Sequence, residues 1–318
     1  MIPLIDLHHG DTPASDRAIL AAATGIGFMT VATPAAPDAA TRAALLRIFA
    51  LADHSALLRR SFRAASPNLY RGWFPLQDGV GSYKEGIDIG PDIARAMPPS
   101  DDPLEEPSAL PPETALPGWR DAAAAYFLAM ERLGGRIMRA LARGLGLPED
   151  CLVPAFAGGI STLRLIHYPP RTPASRAGLP LETQAMSGLA HVDSGFVTLL
   201  AQDGVPGLQA QAADGAWIDV PPGEGTLAVN FGALLERWTG GRIRATRHQV
   251  LGTGRARHSI PFFYEPRAEA LISPLPLPGA PAFAPFTYGD HLWAAMTRFP
   301  EFSALAGARA PRHSSDSR

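Results

Sequence analysis

Residues 191–231 read HVDSGFVTLLAQDGVPGLQAQAADGAWIDVPPGEGTLAVNF, and this stretch decides the fold. Short runs of apolar residues are separated by clusters of Gly, Pro and Asp, which is typical of short strands joined by turns. The same pattern of short apolar runs and turn residues extends from about residue 160 to residue 264. About eight strands of this kind indicate a β-sandwich or a small barrel. We predict strands at 161–168, 189–191, 196–201, 207–211, 216–220, 226–231, 243–251 and 257–264, with a helical turn at 233–238.

The preceding part of the chain mixes helices with strands. Strand patterns at 3–7 and 27–32 flank a helical run at 18–23, and a second helix is predicted from about 41 to 63. Residues 66–116 are irregular, with an aromatic-rich first half that we expect to be ordered and a second half that resembles an exposed connector. The clearest helix spans 119–145, because its apolar residues form one stripe. We therefore divide the chain into a region 1–118 and a core 119–318, which ends in a helix at 288–299 and a disordered polar tail.

Composition excludes several classes of protein. The net charge of −2 and the lack of a basic cluster argue against a nucleic-acid partner. The N-terminus has no signal-peptide pattern, and the uncharged run 18–36 contains threonines, glycines and a proline, so no membrane span is expected. The single cysteine, Cys151, cannot form an intrachain disulfide. These features predict a cytoplasmic globular enzyme that acts on a small molecule.

A candidate metal site lies in the strand-rich half. His191 and Asp193 are two residues apart, so in an extended backbone both side chains point the same way. His248 lies in another predicted strand, which can face the first in a two-sheet or closed structure. Two imidazoles and one carboxylate can occupy one face of an octahedral Fe(II) and leave the opposite face open for a chelating cosubstrate and O₂. Zinc also uses three protein ligands, and the spacing alone leaves both metals open.

Arg257 and Ser259 supply a second element. They share one face of a predicted strand, and a guanidinium beside a hydroxyl suits the far end of a dicarboxylate cosubstrate. If this face points inward, the arginine requires an anionic partner, because an unpaired buried charge is very costly. Pro261 leaves open the alternative of a surface arginine on an edge strand.

The chain resembles the isopenicillin N synthase-like family of iron(II)- and 2-oxoglutarate-dependent oxygenases along almost its whole length. The resemblance implies a double-stranded β-helix (jelly-roll) core with flanking α-helices and an N-terminal α/β region. Ile166 departs from the pattern, since plant members often carry Asn at this position. The segments that carry the resemblance are PLIDL (3–7), GFMTV (27–31), LRLIHYPP (163–170), HVDSGFVTLL (191–200), GLQAQAADGAWIDVPP (207–222), TLAVNFGALLERWTGG (226–241) and RHSIPFFYEP (257–266).

The resemblance also implies roles for individual residues. His191, Asp193 and His248 would bind Fe(II). Arg257 and Ser259 would hold the far carboxylate of 2-oxoglutarate, with an added hydrogen bond from Tyr168.

The reaction implied is the oxidation of a C–H bond by O₂, by default a hydroxylation, with release of succinate and CO₂. Desaturation and ring closure stay open. One alternative is an oxidase of the isopenicillin N synthase type, which takes its electrons from the substrate and needs no 2-oxoglutarate. Another is a metal-binding module without turnover.

Lys84 is the only lysine among 28 basic residues. It lies in an aromatic-rich segment that resembles the pocket wall of the family, and Tyr70 begins the same segment. We expect Lys84 to pair with Glu85 or another carboxylate, or to contact an anionic substrate, with Tyr70 as a second substrate-side residue. The alternative is that one lysine survived by chance on a solvated loop.

Overall fold

The structure is a computed structural model and describes residues 1–51, 70–76, 82–172, 175, 179, 184–299 and 302–312. Its helices are α1 (Pro13–Thr24), α2 (Ala39–Leu46), α3 (Trp119–Gly144), α4 (Ala233–Trp238) and α5 (Tyr288–Met296). Its strands are β1 (Leu4–Asp6), β2 (Phe28–Ala32), β3 (Gly72–Phe74), β4 (Glu85–Ile89), β5 (Thr162–Tyr168), β6 (Met186–His191), β7 (Val197–Gln202), β8 (Leu208–Gln211), β9 (Trp217–Asp219), β10 (Thr226–Phe231), β11 (His248–Leu251), β12 (Arg257–Tyr264), β13 (Leu271–Ile272) and β14 (Phe286–Thr287).

Two sheets carry the architecture. The large sheet has the order β1-β2-β10-β7-β12-β5-β4-β3, and the small sheet has the order β6-β11-β8-β9. Every neighbouring pair is antiparallel except β1 and β2. Consecutive strands alternate between the two sheets from β5 to β8 and again from β9 to β12. This is the predicted jelly-roll core.

The two sheets face each other across a small apolar interior. Ile166 and Ala228 of the large sheet pack with Leu208, Ala210 and Val250 of the small sheet, and all five are buried. Side chains alternate across a strand, so the opposite face of the large sheet is free to pack elsewhere. The small sheet therefore covers only one face of the large sheet.

Helix α3 covers the outer face of the large sheet. Its apolar stripe is buried, and the Phe127 ring meets the Phe262 ring of β12 edge-on at 5.0 Å between centroids. Gly134 lets the helix come close, because a Cβ at this position would lie 2.5 Å from the Tyr264 ring. The Arg143 guanidinium also forms a two-pronged bond with Asp16 of α1. Helix α3 thus fixes β12, the strand that carries Arg257 and Ser259.

Several predicted boundaries were wrong. The strand expected at 243–251 begins only at His248, because residues before it bond to the end of α1 and to the turn after it. The amide of Arg244 donates to Ala23 O and the hydroxyl of Thr246 donates to Ile26 O. The region 66–116 contains two strands, β3 and β4, that extend the large sheet beyond β5. The strand expected at 189–191 already begins at Met186.

Other predictions stay partly or wholly open. The second helix begins as α2 and continues as a 3-10 turn, Arg47–Ala50, while residues 52–63 of that prediction lie outside the described part. Most of the tail predicted to be disordered, 313–318, also lies outside it. The division at residue 118 stays a prediction. No helix among the described residues is long and apolar enough to cross a bilayer.

Phe127→Ala should lower the free energy of unfolding by about 3–5 kcal/mol, because it opens a cavity between α3 and the large sheet. Leu128→Ala is the matched control, since Leu128 is the next residue of the same helix and is 37% exposed. We expect a change of about 0.5 kcal/mol for this control. Urea denaturation of both variants measures the difference. Equal losses in the two would contradict the described packing of α3.

Candidate metal centre

Two histidines meet at one end of the small sheet. His191 ends β6, His248 begins β11, and the two residues are paired in register. Residues directly opposite in an antiparallel pair project from the same face. Their ring centroids lie 4.4 Å apart. The sheet therefore presents two imidazoles side by side.

Asp193 completes the group from the loop after β6. Its Oδ1 lies 3.6 Å from His191 Nε2 and 3.7 Å from His248 Nε2. One ligand atom from each of the three residues lies within 4.8 Å of the others. This spacing lets one ion contact all three side chains.

Each imidazole is oriented by its other nitrogen. The Nδ1 of His191 lies 2.8 Å from Leu189 O, and the Nδ1 of His248 lies 3.1 Å from Thr246 O. A carbonyl oxygen can only accept, so both Nδ1 atoms carry the proton and donate it. In the neutral ring, each Nε2 then keeps a lone pair that a metal ion can accept. Metal-binding histidines are commonly held in this way.

The Asp193 carboxylate is held by the large sheet. The Thr198 hydroxyl of β7 donates to its Oδ2 at 2.5 Å, and the Asn230 amide of β10 donates to the same oxygen at 2.7 Å. Both donors occupy one oxygen, so Oδ1 stays free to face the histidines. Strands of one sheet therefore orient a carboxylate towards imidazoles of the other.

The loop that carries Asp193 is fastened to the start of α4. The amide of Ala233 donates to Asp193 O at 2.7 Å, and the amide of Leu234 donates to Gly195 O at 3.1 Å. Gly232 permits this approach, because a Cβ there would lie 2.4 Å from Gly195 O.

The charges of the group suit a cation. Burial alone would raise the pKa of Asp193, but the facing imidazoles of His248 and His191 and the Thr198 hydroxyl lower it well below its ordinary value. Burial lowers the pKa of His248, and the attraction of Asp193 only partly opposes this. A carboxylate anion beside a neutral imidazole is the protonation state that a metal requires. The donor set of two imidazoles and one carboxylate fits Fe(II).

Arg257 and Ser259 point into the space between the sheets. In register, Arg257 lies opposite Tyr168 and Ser259 lies opposite Ile166, and both partners belong to the inter-sheet interior. The guanidinium carbon of Arg257 lies 5.0 Å from the centroid of the Tyr168 ring, so the ring serves as a platform for the cation. The surface-arginine alternative is therefore wrong.

The interior pair has unused hydrogen-bonding capacity. Arg257 donates through Nε to Val205 O and through Nη2 to Gln202 Oε1, and no acceptor within the described residues reaches its Nη1. The buried Ser259 hydroxyl also has no partner there. Such atoms are expected where a ligand binds, since unpaired buried polar groups are costly. An anion between the two would satisfy both.

A cavity of about 340 Å³ opens beside the metal group. His191 and Asp193 line it, and so do Tyr70 and Lys84, the two residues predicted to face a substrate. This volume is at the small end of the range of small-molecule sites.

The predicted ion pair between Lys84 and Glu85 is wrong. Adjacent residues of an extended chain point in opposite directions, and the Glu85 carboxylate lies 2.8 Å from His167 Nδ1 on the outer face. No ion pair joins Lys84 to any described carboxylate.

Sequence reasoning missed the residues that position the site. Thr198 and Asn230 lie in predicted strands, and Gln202 directly follows the predicted strand 196–201. Their inward direction follows from the alternation along each strand. The pairing of Asp193 with two of them depends on which strands are neighbours, and sequence spacing does not reveal this.

Comparison with known proteins finds a matching family model and several related enzymes. The model of the 2OG-Fe(II) oxygenase superfamily matches residues 159–266. A 2-oxoglutarate-dependent dioxygenase of Aspergillus rugulosus (htyE) is 30% identical over 259 residues, which cover 72% of this chain and 74% of the relative. Isopenicillin N synthase of Streptomyces clavuligerus is 29% identical over 241 residues, covering 73% of this chain and 72% of that enzyme. The chain spans about half the length of other curated relatives that it matches, 55% for two of them.

A solved structure agrees with the fold. A full-length protein of Neurospora crassa, crystallised in complex with alpha-KG (2-oxoglutarate) and thymine, superposes with a TM-score of 0.79 and 26% identity, covering 94% of this chain and 97% of that one. The jelly-roll prediction is thereby confirmed. Sequence and fold lead to the same assignment, and the chain belongs to the isopenicillin N synthase-like family of the 2OG-Fe(II) oxygenase superfamily.

Proposed function

We propose that the protein is an Fe(II)- and 2-oxoglutarate-dependent oxygenase that hydroxylates a C–H bond of a small molecule. Substrate, 2-oxoglutarate and O₂ would yield the hydroxylated product, succinate and CO₂. The observation that carries the proposal is the pairing of two features in one inter-sheet space: a His-Asp-His group and the unsatisfied donors of Arg257 and Ser259. The first suits the metal and the second suits the cosubstrate.

His191, Asp193 and His248 would hold the iron. The bound metal, together with 2-oxoglutarate, supplies the activation of O₂, which no side chain provides. The protein contributes the orientation of its ligands through Thr198 and Asn230. Three protein ligands would leave other coordination positions of the iron available.

Arg257 and Ser259 would bind the distal carboxylate of 2-oxoglutarate. Nη1 of Arg257 and the Ser259 hydroxyl are the free donors, while Gln202 and Val205 hold the remaining guanidinium nitrogens in place. Tyr168 supports the cation from its ring face. Because these contacts already hold the guanidinium in place, it loses little conformational entropy when the anion binds.

The primary substrate would enter the cavity that Tyr70 and Lys84 line. Its size supports a small molecule, and the net charge of −2 argues against a nucleic-acid substrate. The single cysteine is compatible with the reducing cytoplasm, where we place the protein.

Thr198→Val should weaken Fe(II) binding about 10- to 100-fold, because the Asp193 carboxylate loses one of its two orienting donors. Asp193→Ala should abolish tight binding. The matched control is Thr226→Val, since the Thr226 hydroxyl donates to Gly223 O at the far end of β10, away from Asp193. Anaerobic isothermal titration calorimetry measures the Fe(II) affinity of all three variants.

The pH dependence of the wild-type affinity checks the same ligands. Protons compete with the metal for the imidazoles and the carboxylate, so the affinity should fall as the pH is lowered. Because the pKa of His248 is lowered, its imidazole is neutral at pH 7 and does not oppose binding there.

Equal Fe(II) affinities of Thr198→Val, Thr226→Val and wild type would count against the site.

Arg257→Lys should raise the apparent KM for 2-oxoglutarate about tenfold or more, because lysine keeps the charge but loses the two-pronged geometry. Fe(II) affinity should stay near the wild-type value. Succinate release and O₂ uptake, measured with and without 2-oxoglutarate, are the readouts. O₂ uptake that needs no 2-oxoglutarate would replace this proposal with the oxidase alternative. Metal binding with no O₂ uptake under any condition would favour a module without turnover.

A further inference from the structure

The cavity beside the metal group contains an unpaired cation. The other two charged side chains of its wall that lie on β4 and β5, Asp88 and Arg164, neutralise each other through a two-pronged bond of 2.6 and 2.8 Å. Lys84 has no carboxylate partner among the described residues. The other carboxylates of the lining are Glu265, which accepts bonds from Thr162 and Tyr288, and Asp193, which faces the imidazoles. A ligand anion would therefore give the Lys84 ammonium the partner that it lacks.

Ser82 provides a second donor on the same wall. Its hydroxyl is enclosed and has no hydrogen-bond partner in the described structure. Ser82 and Lys84 are two residues apart, and both line the cavity. This repeats the combination of Arg257 and Ser259: one cation and one hydroxyl on one side of a chain segment.

The backbone that carries the two donors is fixed on both sides. The amide of Tyr83 donates to Ser187 O of the small sheet at 3.1 Å. Immediately after Lys84, Glu85 begins β4 and pairs with His167 of the large sheet. The Tyr83 ring is buried beneath the Arg171 guanidinium at 4.6 Å, away from the cavity. The two donors are thus positioned before any ligand binds.

Much of the remaining cavity lining is apolar. This apolar part is formed by Leu292 and Met296 of α5, by Phe299 and Phe302 after that helix, and by Phe263 of β12. A molecule that fills the cavity would therefore contact the donors of Ser82 and Lys84 and also hydrocarbon and aromatic surface.

We propose that Ser82 and Lys84 bind a carboxylate of the primary substrate, which is a small monocarboxylic acid with an apolar body. This inference rests on the proposed function, because it concerns the second substrate of that reaction. One ammonium matches one negative charge, whereas a phosphate dianion would call for further donors. An amine would be repelled by Lys84. The distal carboxylate of 2-oxoglutarate is already assigned to Arg257 and Ser259.

The single lysine allows a direct test. Reductive methylation with isotope-labelled formaldehyde keeps the positive charge and labels only Lys84 and the N-terminal amine. The protein is loaded with Zn(II), which has no redox chemistry, and with saturating 2-oxoglutarate. Phenylacetate, 3-phenylpropanoate and octanoate are then titrated against their primary amides. We expect saturable shifts of the Lys84 signal with the acids and none with the amides, and an unchanged N-terminal signal.

Unlabelled variants test the same contact by calorimetry. Lys84→Gln and Ser82→Ala should each weaken binding of the best acid about tenfold or more, the value expected for a hydrogen bond to a charged group. Arg139→Gln is the control, because it removes one cation from the exposed side of α3, where Arg139 pairs with Asp150. It should leave acid binding unchanged.

Two results would overturn the inference while the proposed function stands: 2-oxoglutarate binds, but no acid binds more tightly than its amide, or the acids bind equally to wild type and Lys84→Gln. Failure of 2-oxoglutarate itself to bind the metal-loaded protein would instead overturn the proposed function, and this inference with it.

Discussion

The site depends on one carboxylate that is shared between two sheets. Oδ2 of Asp193 accepts hydrogen bonds from Thr198 and Asn230 of the large sheet, and Oδ1 faces the imidazoles of the small sheet. A carboxylate in this position requires both sheets in their native relation. The jelly-roll core is therefore the device that brings the three candidate ligands together, and α3 keeps the large sheet in place from behind.

Buried groups without partners indicate what the interior binds. Arg257 Nη1, Ser259 Oγ and Ser82 Oγ are enclosed and have no acceptor or donor in the described part of the chain. Each such group destabilises the ligand-free fold, since an unmade buried hydrogen bond costs about 1–3 kcal/mol. This cost is offset when an anion binds. In the proposed function, two carboxylic acids would bind in this interior, 2-oxoglutarate at Arg257 and the primary substrate at Lys84.

The sequence predicted the jelly-roll and the convergence of His191, Asp193 and His248. Both the alternation along a strand and the family resemblance can be recognised within short segments of the sequence. It could not predict the start of β11, since residues 243–247 bond to a turn more than two hundred positions earlier in the chain. Nor could it predict the partner of Glu85. That residue bonds to His167 through the pairing of β4 with β5, and strand neighbours are a property of the whole sheet.

Anaerobic crystallography with Fe(II) and 2-oxoglutarate tests the central claim most directly. Anomalous scattering should place one iron between Nε2 of His191, Nε2 of His248 and Oδ1 of Asp193. The distal carboxylate of 2-oxoglutarate should lie against Arg257 Nη1 and Ser259 Oγ. Iron at another position, or a cosubstrate carboxylate that contacts neither Arg257 nor Ser259, would contradict the account.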